Sequence, residues 1–344
     1  MFFGNMKPCA VLRLCLLATF LLTAGTAAQA AERKPGIVGY VTSWSDDMPD
    51  PHLLTCINYA FGHVNDTFNG ITIDNEERLR KILELKKQAP GLKVVLSIGG
   101  WKSGGFSEMA SDARRRRTFA WNCRQLIWDM GLDGIDIDWE YPTNSDSGIA
   151  SSPKDTENFT LLMRDIRTAI GPKRILSFAS VSSADYIDYL HVMEYVDYVN
   201  VMTYDMGVPP YHNSPLYQSG YVQNISVSQS ISYHINMGVP RGKIMLGIPF
   251  YGHGVESFPQ SVKIGEARLV DNFFYNWDDE AKVPYLTDRE GNFSYSFEDV
   301  RSVILKCNYV MDERLGGVML WTTDGDDEKS TLLKTVNNTF HPAD

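Results

Sequence analysis

The chain has 344 residues, of which 44% are hydrophobic and 22% charged, an ordinary balance for a globular protein. Its net charge of −10 argues against a nucleic-acid partner, which requires a basic surface. The length admits one large domain or two small ones.

At the N-terminus, Lys7 and Arg13 are the only positive charges around the apolar stretch "AVLRLCLLATFLLTAG", and Ala28-Gln29-Ala30 suits a signal peptidase. The uninterrupted apolar run is short for a transmembrane helix. Residues 1–30 therefore read as a signal peptide, and the expected mature chain, 31–344, is secreted or periplasmic and free of the membrane. Beyond it lie three scattered cysteines, Cys56, Cys123 and Cys307, each in an apolar stretch. An odd, dispersed set is no disulfide framework, so buried thiols are expected. No spacing resembles a metal site, and neither metal nor cofactor is expected.

From Gly36 the pattern becomes regular. "GIVGYVTSW" (36–44) and "TCINYAFGHV" (55–64) read as strands, and "EERLRKILELKKQAPG" (76–91) has helical spacing ended by Pro90 and Gly91. Strand "LKVVLSIGG" (92–100) follows, then a helix over 111–131 that opens on a Ser or Asp cap and closes on glycine. Its run of four arginines reads as a solvated face. "DGIDIDWEYP" (133–142) is the fourth strand. Helix 155–170, strand "RILSFASV" (174–181), a short helix near 185–193 and strand "VDYVNVMTYD" (196–205) continue the series. Helix 226–238, strand "KIMLGIPFYG" (243–252), helix 297–314, strand "GGVMLWTTD" (316–324) and helix 326–339 complete it.

Eight strands, mostly separated by helices, predict an α/β protein with a parallel sheet closed as a (β/α)8 TIM barrel. A doubly wound sheet would want a glycine-rich phosphate turn after the first strand, and "GYVTSW" is not one. The rhythm breaks between the seventh strand and its helix. About residues 254–295 are rich in Phe, Tyr, Asn and Asp without a long helical pattern, and read as a short insertion. A single catalytic barrel, acting as a monomer, is expected.

The active site of such a barrel lies at the C-terminal ends of its strands. Those ends carry Tyr40, Trp44, Phe61, Ser97, Gly99, Gly100, Trp101, Glu140, Tyr141, Met202, Tyr204, Asp205, Tyr251 and Trp321. Aromatic faces stack on sugar rings, and carboxylates bind hydroxyls and donate protons. A polysaccharide cleft follows.

Within "DGIDIDWEYP" acid and apolar side chains alternate. Asp136, Asp138 and Glu140 fall on one side of an extended chain, Ile135, Ile137 and Trp139 on the other. A central strand of a closed barrel has no wet face, so the acids point inward, with roughly 6.6 Å between alternate residues. Three close carboxyls cannot all ionise cheaply, so a proton is shared and at least one pKa is raised. A glycosidic leaving oxygen needs an acid still protonated near neutrality, and Glu140, longest and outermost, is the expected donor. A retaining glycosidase also needs a nucleophile about 5 Å from that acid. The ladder does not easily supply one. Either Asp205 serves, or the substrate attacks itself through a 2-acetamido carbonyl oriented by Asp138; spacing leaves both open.

These segments resemble a known family. "DGIDIDWEYP" is similar to the signature of family 18 glycoside hydrolases, the chitinase family, in its Asp133, Asp136, Asp138 and Glu140. "INYAF" (57–61), "LSIGGW" (96–101), "MTYD" (202–205), "NSPLY" (213–217) and "GGVMLW" (316–321) resemble further family segments in the same order. The resemblance implies retaining, substrate-assisted hydrolysis of β-1,4 bonds between N-acetylglucosamine units through an oxazolinium intermediate. It implies Glu140 as acid/base, Asp138 as the group that orients the acetamido, Asp136 as its proton-sharing partner, and Tyr204 as a donor to the acetamido oxygen. It implies sugar binding by Tyr40, Phe61, Trp101, Tyr141, Met202, Asp205, Tyr251 and Trp321, with Trp321 as the floor at the cleavage point. The implied partner is a polysaccharide or oligosaccharide containing N-acetylglucosamine.

The chain departs from the family pattern in two places. Tyr251-Gly252-His253 stands where many relatives read Tyr-Gly-Arg, so a substrate-binding arginine is missing or supplied elsewhere. The insertion is shorter and less regular than in deep-cleft relatives, which implies a shallower cleft and endo-acting or oligosaccharide-cleaving action. The alternatives are an endo-β-N-acetylglucosaminidase on glycoproteins, a peptidoglycan-directed enzyme, or a chitin-binding lectin. Lectins of the family typically replace the acid, which is present here as Glu140.

Overall fold

The computed structural model describes residues 34–259 and 262–342; the expected signal peptide, 1–30, lies outside them. The strands are β1 (Gly36–Thr42), β2 (Cys56–Val64), β3 (Ile71–Ile73), β4 (Lys93–Gly99), β5 (Gly134–Asp138), β6 (Ile175–Val181), β7 (Tyr198–Met202), β8 (Ile244–Pro249), β9 (His253–Gly254), β10 (Phe274–Asp278), β11 (Val283–Thr287), β12 (Phe293–Ser296) and β13 (Gly317–Trp321). Nine of them form one sheet in the order β1-β13-β8-β7-β6-β5-β4-β2-β3, and β1 also pairs with β2, so the sheet closes. Only β3 is antiparallel; the other eight strands make the parallel barrel expected from the strand–helix alternation.

Helices α1 (Glu76–Glu84), α2 (Phe106–Ala110), α3 (Ala113–Met130), α4 (Asp155–Ile170), α5 (Tyr189–Val192), α6 (Val227–Asn236), α7 (Val300–Asp312) and α8 (Thr331–Phe340) carry the crossovers. Local chemistry sets their ends. The Asp112 carboxylate accepts from the Arg114 and Arg115 N–H groups at the start of α3, and Gly131 closes it in the left-handed region. α8 starts later than its sequence pattern predicts. Asp326 lies outside the helix, and its carboxylate accepts from the Leu332 and Leu333 N–H groups. The arginine run in α3 is only partly solvated: Arg116 is buried, reaching Asp165 at 3.2 Å and the Ala110 carbonyl at 2.6 Å.

The alternation of β5 separates two layers. Ile135, Ile137 and Trp139 belong to the large core between barrel and helices, where Trp139 stacks on Phe106 at 5.4 Å. The inner layer holds Val38, Tyr40, Ala60, Phe61, Val95, Tyr204, Met245 and Met319. Cys56, Cys123 and Cys307 are free and buried.

The chain between β8 and α7 is more regular than its composition suggests. β9, β10, β11 and β12 form a separate antiparallel sheet in the order β10-β11-β12-β9. Tyr285 and Phe293 stack across it at 4.8 Å. Buried His212, from the loop after β7, reaches Asp278 at 3.1 Å and ties the sheet to that loop. Behind it Lys306 of α7 is fully buried, paired with Glu298, and donates to the Ser214 carbonyl at 2.7 Å and to Ser214 Oγ at 2.6 Å.

Candidate active site

The acid motif begins at the far end of the barrel. Asp133, just before β5, accepts from the Val94 N–H at 2.9 Å and from Lys86 at 2.6 Å, so it anchors the strand and stands apart from the cleft. Asp136 is fully buried in the barrel centre. In register with it, Ser97 on β4 and Ser177 on β6 flank it from either side. Its Oδ2 accepts from Tyr40 (2.7 Å) and Ser97 (2.8 Å), its Oδ1 from Ser177 (2.6 Å) and Asn200 (3.1 Å). Burial pushes its pKa up, and these donors oppose the shift.

Asp138 sits one step outward, only 4% exposed. Its Oδ1 is buried without a hydrogen-bond partner, and its pKa is pushed well up by burial, then by the charges of Glu140 and Asp136. Among the described residues no hydrogen bond joins Asp136 to Asp138; the Asp136 oxygens are taken by the four donors instead. The "SIGGW" glycines make room for this ladder. A Cβ on Gly99, whose φ is +129°, would lie 1.9 Å from the Asp138 carbonyl oxygen, which itself accepts from the Gly100 N–H at 2.8 Å.

Glu140 is at the rim. Its pKa is raised to about 7, first by burial and then by the charge of Asp205, against a hydrogen bond with Tyr141. Asp205, just past β7, has φ +55° and is held by its own N–H donating to Asn213 Oδ1 at 2.7 Å. Its Oδ1 accepts from Tyr251 Oη at 2.5 Å and lies 2.7 Å from His253 Nε2.

A cavity of about 730 Å³ opens over this ladder. It is lined by Asp138, Glu140, Tyr40, Phe61, Trp101, Tyr141, Met202, Tyr204, Asp205 and Trp321 among the expected residues, with Trp44, Gly99 and Gly100. Trp321 is edge-on to Tyr40 at 5.3 Å and stacked against Phe61 at 5.7 Å. Two expected residues are placed otherwise. Asp136 lies beneath the cavity, and Tyr251 stands behind it, against Asp205 and edge-on to Tyr204 at 6.0 Å. His63, Asp74 and Ala179 line it without a sequence signal.

The family model for glycosyl hydrolases family 18 matches residues 36–326, which span every element of this site. The chain belongs to glycosyl hydrolase family 18. Chitinase A1 of Niallia circulans is 29% identical over 93% of this chain, which spans 60% of that protein's length. Chitotriosidase-1 of Mus musculus is 29% identical over 86% of this chain and 74% of its own. A solved family 18 N-acetylglucosaminidase from Paenibacillus barengoltzii superposes with a TM-score of 0.81 at 33% identity, covering 89% of this chain and 99% of that one. The family and its chitinase relatives, with Glu140 retained, support a glycosidase of the chitinase type, and the closed barrel agrees.

Proposed function

We propose that this family 18 chain is an exported retaining hydrolase that cleaves β-1,4 bonds between N-acetylglucosamine units of chitin-type chains, assisted by the substrate's own acetamido group. The observation that carries this reading is Asp138 Oδ1. A buried acceptor without a donor costs roughly 1–3 kcal/mol, which an incoming acetamido N–H would recover. A carboxyl at that depth then orients the acetamido carbonyl toward the anomeric carbon, and in its ionised form offsets the charge of the oxazolinium. Tyr204, buried and lining the same cavity, supplies a hydroxyl for the acetamido oxygen. Glu140, pushed to about 7, keeps a proton for the leaving oxygen and takes one back from water in the second step. Asp136, held by four donors beneath the cavity, adds to the rise of Asp138 after burial and Glu140, and is kept from touching sugar. Asp205 already has one oxygen engaged by Tyr251 and His253, which favours a sugar-binding role over attack.

Export rests on the N-terminal segment. Among the described residues no helix is long and apolar enough to cross a membrane. A second reading, release of N-acetylglucosamine from short chains, is favoured by the likeness to the Paenibacillus N-acetylglucosaminidase. Product analysis on N-acetylglucosamine oligosaccharides of increasing length, beside a chitobiose-core N-glycan, separates them. Dimers and trimers from a pentamer are expected. Monomer as the sole early product supports the second reading, and cleavage of the N-glycan alone overturns both.

A further inference from the structure

The cavity is one-sided in charge. Its lining residues include the carboxyl groups of Asp74, Asp138, Glu140 and Asp205, and none is Lys or Arg. Three of the four are committed. Glu140 and Asp138 are held toward the protonated form, and Asp205 Oδ1 is engaged by Tyr251 and His253.

Asp74 is different. It follows β3 on the wall built by the β2–β3 hairpin, with 48% of its side chain exposed. Its Oδ2 lies 2.9 Å from His63 Nε2, and His63 Nδ1 lies 2.8 Å from Ser103 Oγ. In the tautomer that accepts from Ser103 at Nδ1, the ring donates from Nε2 to Asp74 and so orients the carboxyl group. Among the described residues nothing hydrogen-bonds Asp74 Oδ1, and no Lys or Arg pairs with this side chain. Lys102 lines the neighbouring groove instead.

An open carboxylate in a concave wall without fixed cations favours a cationic ligand and repels an anionic one. A fully N-acetylated chain carries no charge, whereas a unit that has lost its acetyl group carries a 2-ammonium. We infer that Asp74, oriented by His63, is a recognition residue for a 2-ammonium sugar. The preferred chain is then mixed, with an N-acetylated unit at the cleavage point and a deacetylated unit beside Asp74. Chains whose units bear carboxylates are disfavoured by the same field. The inference rests on the cleavage reading above for its sugar type.

Titration calorimetry tests it on protein carrying Glu140→Gln, so that binding is read without turnover. The probes are N-acetylglucosamine oligosaccharides of one length, fully acetylated or deacetylated at a single defined unit. One positional isomer is expected to bind about fivefold tighter than the acetylated chain, a margin typical of a partly exposed ion pair, and to lose that margin at high salt. Adding Asp74→Asn abolishes the ratio, and adding Asp74→Glu keeps it; a general loss of binding cancels in the ratio. Equal binding of all probes, or a ratio that survives Asp74→Asn, overturns the inference. Cleavage of the acetylated chain by the unsubstituted protein reports on the cleavage reading separately.

Discussion

Glu140→Gln lowers kcat by about 10²-fold or more and leaves KM within a few-fold, the pattern of a group that acts only in the transition state. The amide keeps the size of the side chain and can still bond with Tyr141, so the rim stays intact while the transferable proton is gone. In the unsubstituted protein the rate falls as pH rises through about 7, because Glu140 then has no proton for the leaving oxygen. That limb belongs to the carboxyl cluster, so removing the Asp205 charge with Asp205→Asn moves it to lower pH. Steady-state kinetics on a chromogenic N-acetylglucosamine oligosaccharide between pH 4 and pH 9, roughly the span over which carboxyl and imidazole groups titrate, checks both statements. Full activity in Glu140→Gln would remove the assigned acid.

Lys306→Met destabilises the fold by about 3–5 kcal/mol, because it leaves the Glu298 carboxylate buried with no counter-charge. The pair stands behind the loop that carries the site. Lys306 holds Ser214, Ser214 Oγ donates to the Thr203 carbonyl at 2.5 Å, and neighbouring Asn213 holds Asp205. Burial already pushes the Glu298 carboxyl up and the Lys306 ammonium down. With the cation gone, Glu298 is raised further in the folded state. A carboxyl raised on folding contributes stability below its ordinary range and loses it as pH rises through the raised value, so the deficit grows with pH. Urea unfolding on both sides of neutrality measures it. Replacing Glu298 with Leu as well recovers much of the loss, since the buried pair itself contributes little net stability. A single substitution that unfolds like the parent chain would show the pair to be dispensable.

The sequence carried the barrel and the ladder because both are short-period signals. Alternation in "DGIDIDWEYP" assigns faces without knowledge of the neighbours, and the glycines of "LSIGGW" answer to the backbone of the adjacent strand. What escaped it depends on long-range meetings. His253 reaches Asp205 across 48 positions, and Lys306 reaches Ser214 across 92. His63 and Asp74 meet through the β2–β3 hairpin, whose second strand has only three residues and too little pattern to read. β10 to β12 are four or five residues long, with aromatics on both faces and Pro284 inside β11, so composition masked their pairing. The setting of Asp136 has the same origin: Ser97, Ser177, Tyr40 and Asn200 arrive from four other strands to hold it.

In the proposed reaction the substrate's acetamido group, and no carboxylate of the protein, attacks the anomeric carbon. Proton NMR on a fresh hydrolysate of an N-acetylglucosamine pentamer, with mass spectrometry of the protein quenched during turnover, decides the point. β-Anomeric products at first appearance and a protein of unchanged mass are expected. An α-anomeric product, or a sugar adduct on Asp205, would contradict that reaction.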